Sequence, residues 1–241
     1  MPTPIYIPAR WAASRAPGKL LRTWQGEPVL RRVAGIARAS ALGPVVVLAA
    51  DERILEAARG WGLEAVPVFE DVRNGSERIA AAISRGLVPR TEFALNLQGD
   101  AVGASPAMLR AALTALIGDP DATLGTVAVA ATEGGGRTTV RVEGGRALAF
   151  DRVELRQGER VHRHVGVYAY RVAGLLERAA AMPGPLERRL SLEQLRWLEA
   201  GLPVAVAVVE GDATLADAVD TDADFGPATG DASGARAPES L

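Results

Sequence analysis

The sequence predicts an α/β fold: a mainly parallel sheet with helices on both faces, joined to a smaller β-rich part. Three observations predict it. Short apolar runs alternate with helix-period segments through the first half. Pro44–Ala49 is a continuous run rich in valine, the mark of a strand buried on both faces. The second half changes to closely spaced strand-like runs separated by glycine turns. In order, Pro4–Pro8 reads as a strand leading into a glycine-containing loop. Pro28–Leu42 has helical spacing, with Val29, Val33, Ile36 and Ala37 on one side. Glu52–Trp61 is helical and Glu64–Phe69 a short strand. Asn74 starts a helix with Glu77 three residues on, a capping-box arrangement. Glu92–Leu97 is a fourth strand and ends at Gln98-Gly99-Asp100. Thr123–Val129, Thr138–Val142 and Arg146–Phe150 read as added antiparallel strands, with Gly134-Gly135-Gly136 and Gly144-Gly145 as turns, and Val165–Tyr170 as another strand. Leu186–Ala200 reads as one helix, Val204–Val208 as a strand, and Thr214–Val219 as a helical or turn segment. Ligands of such sheets sit outside the carboxyl ends of the strands, so chemistry is expected in the loops after Ile7, Ala49 and Leu97.

The chain has 241 residues, of which 48% are hydrophobic, enough for one large core. Net charge is −2, so no global basic field points to nucleic acid. Cysteine is absent, which excludes disulfides, thiolate zinc sites and a cysteine nucleophile. No apolar run approaches the roughly 18 residues of a membrane span, and a cytoplasmic protein is expected. Gly18-Lys19 lacks the upstream glycine and following Ser or Thr of a Walker loop, and no G-x-G-x-x-G follows the first strand. Lys19 is the single lysine among 27 basic residues. It shares the first loop with Arg10 and Arg15. Two guanidiniums and an ammonium at a strand's carboxyl end suit a polyphosphate, and Gly18 lets backbone approach a ligand. Asp100 and Asp220, brought together beside such a ligand, would make a magnesium site.

Six segments carry a more specific signal. They are Ile7-Pro8-Ala9-Arg10-Trp11-Ala12-Ala13-Ser14-Arg15-Ala16-Pro17-Gly18-Lys19, Asn74-Gly75-Ser76-Glu77-Arg78, Asn96-Leu97-Gln98-Gly99-Asp100, Arg163-His164-Val165-Gly166-Val167-Tyr168, Leu192-Glu193-Gln194-Leu195-Arg196 and Val219-Asp220-Thr221. In type and order this set resembles the CMP-Kdo synthetases, the 3-deoxy-manno-octulosonate cytidylyltransferases, across residues 4–225. The resemblance implies a nucleotidyltransferase (Rossmann-like) fold, and a homodimer formed through the β-rich part. It implies a single domain over residues 1–225, with a nucleotide part (1–120) and an acceptor and dimerisation part (121–225). Residues 226–241 are expected to be a disordered tail. The implied reaction moves CMP from CTP onto an acidic acceptor and releases pyrophosphate. Pro8, Ala9, Arg10, Arg15, Lys19, Gln98 and Asp100 would bind CTP, with Arg10, Arg15, Lys19 and Asp100 catalytic. Asp100 and Asp220 would hold Mg²⁺. Arg78, Gln98, Arg163, His164, Tyr168, Glu193 and Gln194 would bind the acceptor. No nucleic-acid or membrane partner is implied.

The chain departs from the family pattern in places. Ala101-Val102 stand where Glu-Pro is usual. Only ten residues separate Phe150-Asp151-Arg152 from Arg163-His164, a shorter stretch than usual. Gly134–Thr139 replaces an asparagine-rich segment. Fewer polar groups and a shorter lid favour a compact anionic acceptor, so a small phosphonate such as phosphonoformate is expected, with Kdo as the alternative. A catalytically inactive nucleotide-binding member is the reading from another class.

Overall fold

The computed structural model describes residues 2–12, 16–131, 137–152, 161–210 and 218–225. The first half runs β1 (Ile5–Ala9), β2 (Thr23–Trp24), β3 (Glu27–Pro28), α1 (Val29–Ala39), β4 (Val45–Ala49), α2 (Glu52–Gly60), β5 (Glu64–Pro67), α3 (Gly75–Ser84), β6 (Phe93–Leu97) and α4 (Pro106–Gly118). The second half runs β7 (Leu124–Ala131), β8 (Thr139–Glu143), β9 (Arg146–Asp151), β10 (Val161–Arg171), α5 (Val172–Ala180), α6 (Pro185–Leu190), α7 (Leu195–Glu199) and β11 (Val204–Val209).

Among the described residues, nine strands form one sheet in the order β5-β4-β1-β6-β10-β7-β11-β9-β8. The β5-β4-β1-β6 half is parallel throughout. The antiparallel part begins at β10, which pairs antiparallel with β6 and β7, while β7 also pairs parallel with β11. The outward alternation of β1 shows why both faces are covered. Ile5 and Ile7 join a core with Leu30 of α1, Ile54 of α2 and Met108 of α4. Tyr6 joins a second core with Ile79 of α3, Leu175 of α5 and Trp197 of α7. Each fully buried aliphatic side chain stabilises the fold by roughly 1.5–3 kcal/mol.

Several expectations need correction. Leu186–Ala200 is two helices, because Ser191 adopts the left-handed region at φ 53 and ends α6. The bend lifts Leu192, Glu193 and Gln194 out of any helical row and turns them to the cleft described below. Helices α4 and α5 and the β2–β3 hairpin have no counterpart in the expected elements. The apolar residues of α4 spread around most of its circumference, so it shows little helical period; its N-terminal signal is Pro106 after Ser105. Strand β10 is longer than expected: its later residues pair with β6, and His162 and Arg163 with β8. The β8–β9 turn at Gly144-Gly145 is as expected, with φ of 55 and 76 at its two residues, as a type I′ hairpin demands. Asn74 does cap α3, accepting from the Glu77 amide at 2.9 Å. The Glu77 carboxylate, however, accepts from the Arg73 amide at 2.9 Å, so the reciprocal half of the box falls one residue early. Arg15, Gly134-Gly135-Gly136, most of Thr214–Val219 and the tail from residue 226 lie outside the described residues.

Candidate active site

The loops after β1 and β6 open into one cleft of about 930 Å³, bordered on its far side by β10 and the bend between α6 and α7. Pro8, Ala9, Arg10, Lys19, Arg78, Gln98, Asp100, His164, Tyr168, Glu193, Gln194 and Asp220 all line it. The structure therefore gathers twelve of the fourteen residues singled out from sequence into one place. Of the other two, Arg15 is not described, and Arg163 is not among the lining residues. Arg163 precedes His164 in a β-strand, and neighbouring side chains of a strand point to opposite faces. The alternation is not strict at the cleft, where His164 and Val165 both line the wall, but Arg163 is not brought to it.

Lys19 sits at the centre of the nucleotide side. Its Nζ donates to Asp100 Oδ2 at 2.5 Å and to Asp220 Oδ1 at 3.1 Å. The two aspartates lie 120 residues apart in sequence and meet on one ammonium. Gly18 makes this possible: it takes φ 71, and its amide donates to the Trp11 carbonyl at 2.9 Å, so the loop folds back before Lys19. A Cβ on Gly18 would lie 2.7 Å from the Trp11 ring. Val219 donates its amide to the Asp100 carbonyl at 3.1 Å and so brings the strap carrying Asp220 to the end of β6. Among the described residues no group of three His, Asp or Glu side chains is placed to hold a metal. Two converging carboxylates beside a polyphosphate cleft are nonetheless the donor set that Mg²⁺ takes, since it draws its remaining ligands from water and phosphate.

Arg78 lies in the first turns of α3, 6% exposed, with one guanidinium nitrogen donating to the Val68 carbonyl. Burial, and then the charge of Arg10, lower its pKa; Asp51 and Asp71 act in the opposite direction. Two like charges, Arg10 exposed and Arg78 buried, thus share the rim where an anion relieves their repulsion.

Hydrogen-bonding side chains gather on the opposite side. His164 stands between the rings of Phe150 and Tyr168, each centroid 5.3 Å away. Its Nε2 is 2.9 Å from Thr126 Oγ1, and the Thr126 hydroxyl donates its one proton to the Val167 carbonyl at 2.7 Å. The histidine must therefore supply the proton of the first contact, which fixes the Nε2–H tautomer and leaves Nδ1 as an acceptor. Burial pushes its pKa down to about 3, so the ring is neutral at physiological pH. The Tyr168 hydroxyl donates to Gln194 Oε1 at 3.3 Å, while Gln194 Nε2 is buried with no partner. Glu193 places both oxygens on the start of α3 and the end of β6: Ser76 N donates at 2.8 Å and Gln98 Nε2 at 2.6 Å. Burial raises its pKa, against those hydrogen bonds. Gly166, at the irregularity in β10, lets Gln98 come close; a Cβ there would lie 2.9 Å from Gln98 Cγ.

Sequence reasoning missed other lining residues, among them Arg137, Arg152, Arg188 and Asp224. Asp224 lay in plain view within the acidic run Asp220–Asp224, whereas the arginines are indistinguishable in sequence from surface ones.

Comparison with known proteins matches this arrangement. Residues 5–135 match the family described as cytidylyltransferase. A 3-deoxy-manno-octulosonate cytidylyltransferase of Azorhizobium caulinodans is 41% identical over 86% of this chain and 87% of its own. One of Parvibaculum lavamentivorans is 39% identical over 92% and 89%. Among solved structures, a CMP:2-keto-3-deoxy-manno-octonic acid synthetase complexed with CTP is similar at TM-score 0.79 and 29% identity, covering 91% of this chain and 93% of that one. A 4-diphosphocytidyl-2C-methyl-D-erythritol synthase of Anaerococcus prevotii shares the fold at TM-score 0.61 and 13% identity. With its Lys19, Asp100 and Asp220 convergence at the carboxyl ends of a parallel half-sheet, the chain belongs to the cytidylyltransferase family.

Proposed function

We propose that this cytidylyltransferase transfers CMP from CTP to the sugar acid 3-deoxy-manno-octulosonate (Kdo), with Mg²⁺ held by Asp100 and Asp220. The observation that carries the acceptor is the set of neutral hydrogen-bonding groups on the far side of the cleft. His164 Nδ1 and the Tyr168 hydroxyl oxygen accept, and the unpaired Gln194 Nε2 donates; such groups suit sugar hydroxyls. His164, kept neutral, adds hydrogen bonding rather than charge there. The small phosphonate expected from sequence rested on a shortened segment, a replaced asparagine-rich segment and Ala101 in place of a glutamate, and most of the first two lies outside the described residues. It finds no support in the relatives, whose names give 3-deoxy-manno-octulosonate.

In this reading Arg10 and Lys19 bind the phosphates of CTP, and Arg78 adds positive potential behind them. When bound, Mg²⁺ would neutralise phosphate charge and polarise the phosphoryl oxygens. Gln98, fixed by Glu193, stands between the nucleotide and acceptor sides and aligns the two. An acceptor hydroxyl oxygen bonds to the α-phosphorus, the bond from that phosphorus to the bridging oxygen breaks, and pyrophosphate leaves. The hydroxyl proton passes to solvent or to the departing phosphate.

We also propose a homodimer. Leu148 of β9 and Val208 of β11, 56% and 46% exposed on adjoining strands of the β-rich part, support self-association there. Light scattering showing only monomer at assay concentration would count against it. For the acceptor, pyrophosphate release from CTP and Mg²⁺ is measured in parallel with Kdo, neuraminate, phosphonoformate and phosphonoacetate. Turnover with Kdo is expected, and product from a phosphonate with none from Kdo would overturn the reading.

A further inference from the structure

We propose that Asp224 is a positioning residue: it holds Asp220 against Lys19 and Asp100, as the core of a clasp closed by the β2–β3 hairpin. The inference rests on the cytidylyltransfer reading for its kinetic part. The second carboxylate of the site is not on a strand or helix. It lies on an irregular strap, residues 218–225, that ends in a short 3-10 turn at Asp222–Phe225. Such a segment makes no backbone ladder, so something else must fix its carboxylate to the sub-ångström tolerance that transfer chemistry needs.

One oxygen of Asp224 does so. Asp224 Oδ2 accepts the Asp220 amide at 2.8 Å, the Thr221 amide at 2.7 Å and the Thr221 hydroxyl at 3.1 Å. Those bonds set the backbone on which the Asp220 side chain turns toward Lys19.

The strap is in turn fastened to the segment that follows Lys19. Trp24 Nε1 donates to the Asp224 carbonyl at 3.1 Å. Arg22 pairs with Asp222, and its guanidinium lies 3.7 Å from the centre of the Phe225 ring. Arg137 adds a hydrogen bond to the Ala218 carbonyl at 3.1 Å. Lys19 and Arg22 bracket one short 3-10 turn, Lys19–Leu21. The ammonium and the carboxylate that meets it are thus located by the same few residues of chain. A displacement of the strap would open Asp220 from Asp100 and Lys19.

The test compares Asp224→Ala, Asp224→Asn and Trp24→Phe with the wild type. Asparagine retains an oxygen that can accept the three bonds; alanine does not. Asp224→Ala is expected to raise the Mg²⁺ concentration for half-maximal pyrophosphate release by about tenfold or more, with kcat falling by a similar factor. Asp224→Asn restores most of both. Hydrogen exchange on the protein without ligands gives a readout independent of turnover: the Asp220 and Thr221 amides lose protection in Asp224→Ala and keep it in Asp224→Asn. Trp24→Phe keeps an aromatic ring and removes the indole donor, and is expected to shift both readouts in the same direction by a smaller factor. It also carries the test if Asp224→Ala fails to fold. Unchanged exchange and unchanged Mg²⁺ dependence in the folded variants would overturn the proposal. If the wild type turned over no acceptor, the transfer reading would fail, and the exchange pattern would still decide the clasp.

Discussion

Arg196→Met tests the buried charge cluster beneath the acceptor side. Arg196 is 4% exposed, Glu77 7% and Glu187 6%. The guanidinium donates to Glu77 Oε1 at 2.8 Å, to Glu187 Oε2 at 2.7 Å and to the Arg178 carbonyl at 3.2 Å. Burial lowers the pKa of Arg196, but the bonds to Glu187 and then Glu77 outweigh it, and the net shift is upward. Methionine fills similar space and leaves two buried carboxylates without their shared cation. Removing one partner of a buried pair costs about 3–5 kcal/mol. Arg73 still reaches Glu77 at 2.7 Å, which argues for the lower end of that range. In a chain of this size each kcal/mol moves the melting temperature by about 2–4 °C, so a fall of about 6–15 °C is expected. Scanning calorimetry measures it. Adding Glu187→Gln neutralises one of the abandoned carboxylates and should recover a large part of the loss. Arg196→Lys keeps the charge but not the planar fork, and should fall between. A melting temperature for Arg196→Met within about 1 °C of wild type, or a double variant no more stable than the single one, would refute the account.

The remaining predictions concern the cleft. Asp100→Asn should lower kcat by about a hundredfold or more with an unchanged melting temperature; near-normal turnover at saturating Mg²⁺ would remove Asp100 from the mechanism. Lys19→Ala should lose at least about a hundredfold in kcat/KM, while Arg31→Ala, on the exposed side of α1, stays within twofold or so. His164 gives a pH prediction. Its pKa is about 3 when folded and near the ordinary 6.5 when unfolded, so between those values the unfolded chain binds the extra proton. Stability is then lost as pH falls from about 6.5 toward 3, with a limiting slope of about 1.4 kcal/mol per pH unit from this group. His164→Gln should show a shallower dependence in denaturant titrations at pH 5 and 7, and an identical slope would contradict the buried neutral ring.

What was legible in the sequence follows from which interactions leave a local pattern. Strands β1, β4 and β6 announce themselves as apolar runs, and the rule that ligands gather at their carboxyl ends located Lys19 and Asp100. The Asn74 cap is a short-range hydrogen bond and shows as a short-range motif. The partners of Glu193 do not: its bonds to Ser76 and Gln98 span 117 and 95 residues. The Glu77–Arg196 bond spans 119, and Arg22–Asp222 spans 200. No periodicity records such pairs; only the assembled sheet brings them together. The bend at Ser191 was hidden for a different reason. Serine in the left-handed region costs roughly 1–2 kcal/mol locally, so propensity argues for continuing the helix, and tertiary contacts override it.

The single lysine has a physical reading once the site is assembled. The chain uses arginine at every other basic position, and on a surface the two residues are nearly interchangeable. At position 19 they are not. The side chain is 9% exposed and ends between two carboxylates, 2.5 and 3.1 Å from its one nitrogen. An ammonium is a compact point charge whose three protons can serve both carboxylates from one atom. A guanidinium spreads its charge over a plane and donates as a fork, which matches one carboxylate side-on and needs more width than this gap between the β1 loop and the strap. Lysine was therefore retained where charge had to be concentrated at a point, and the count of one lysine in the sequence is itself a trace of that geometry.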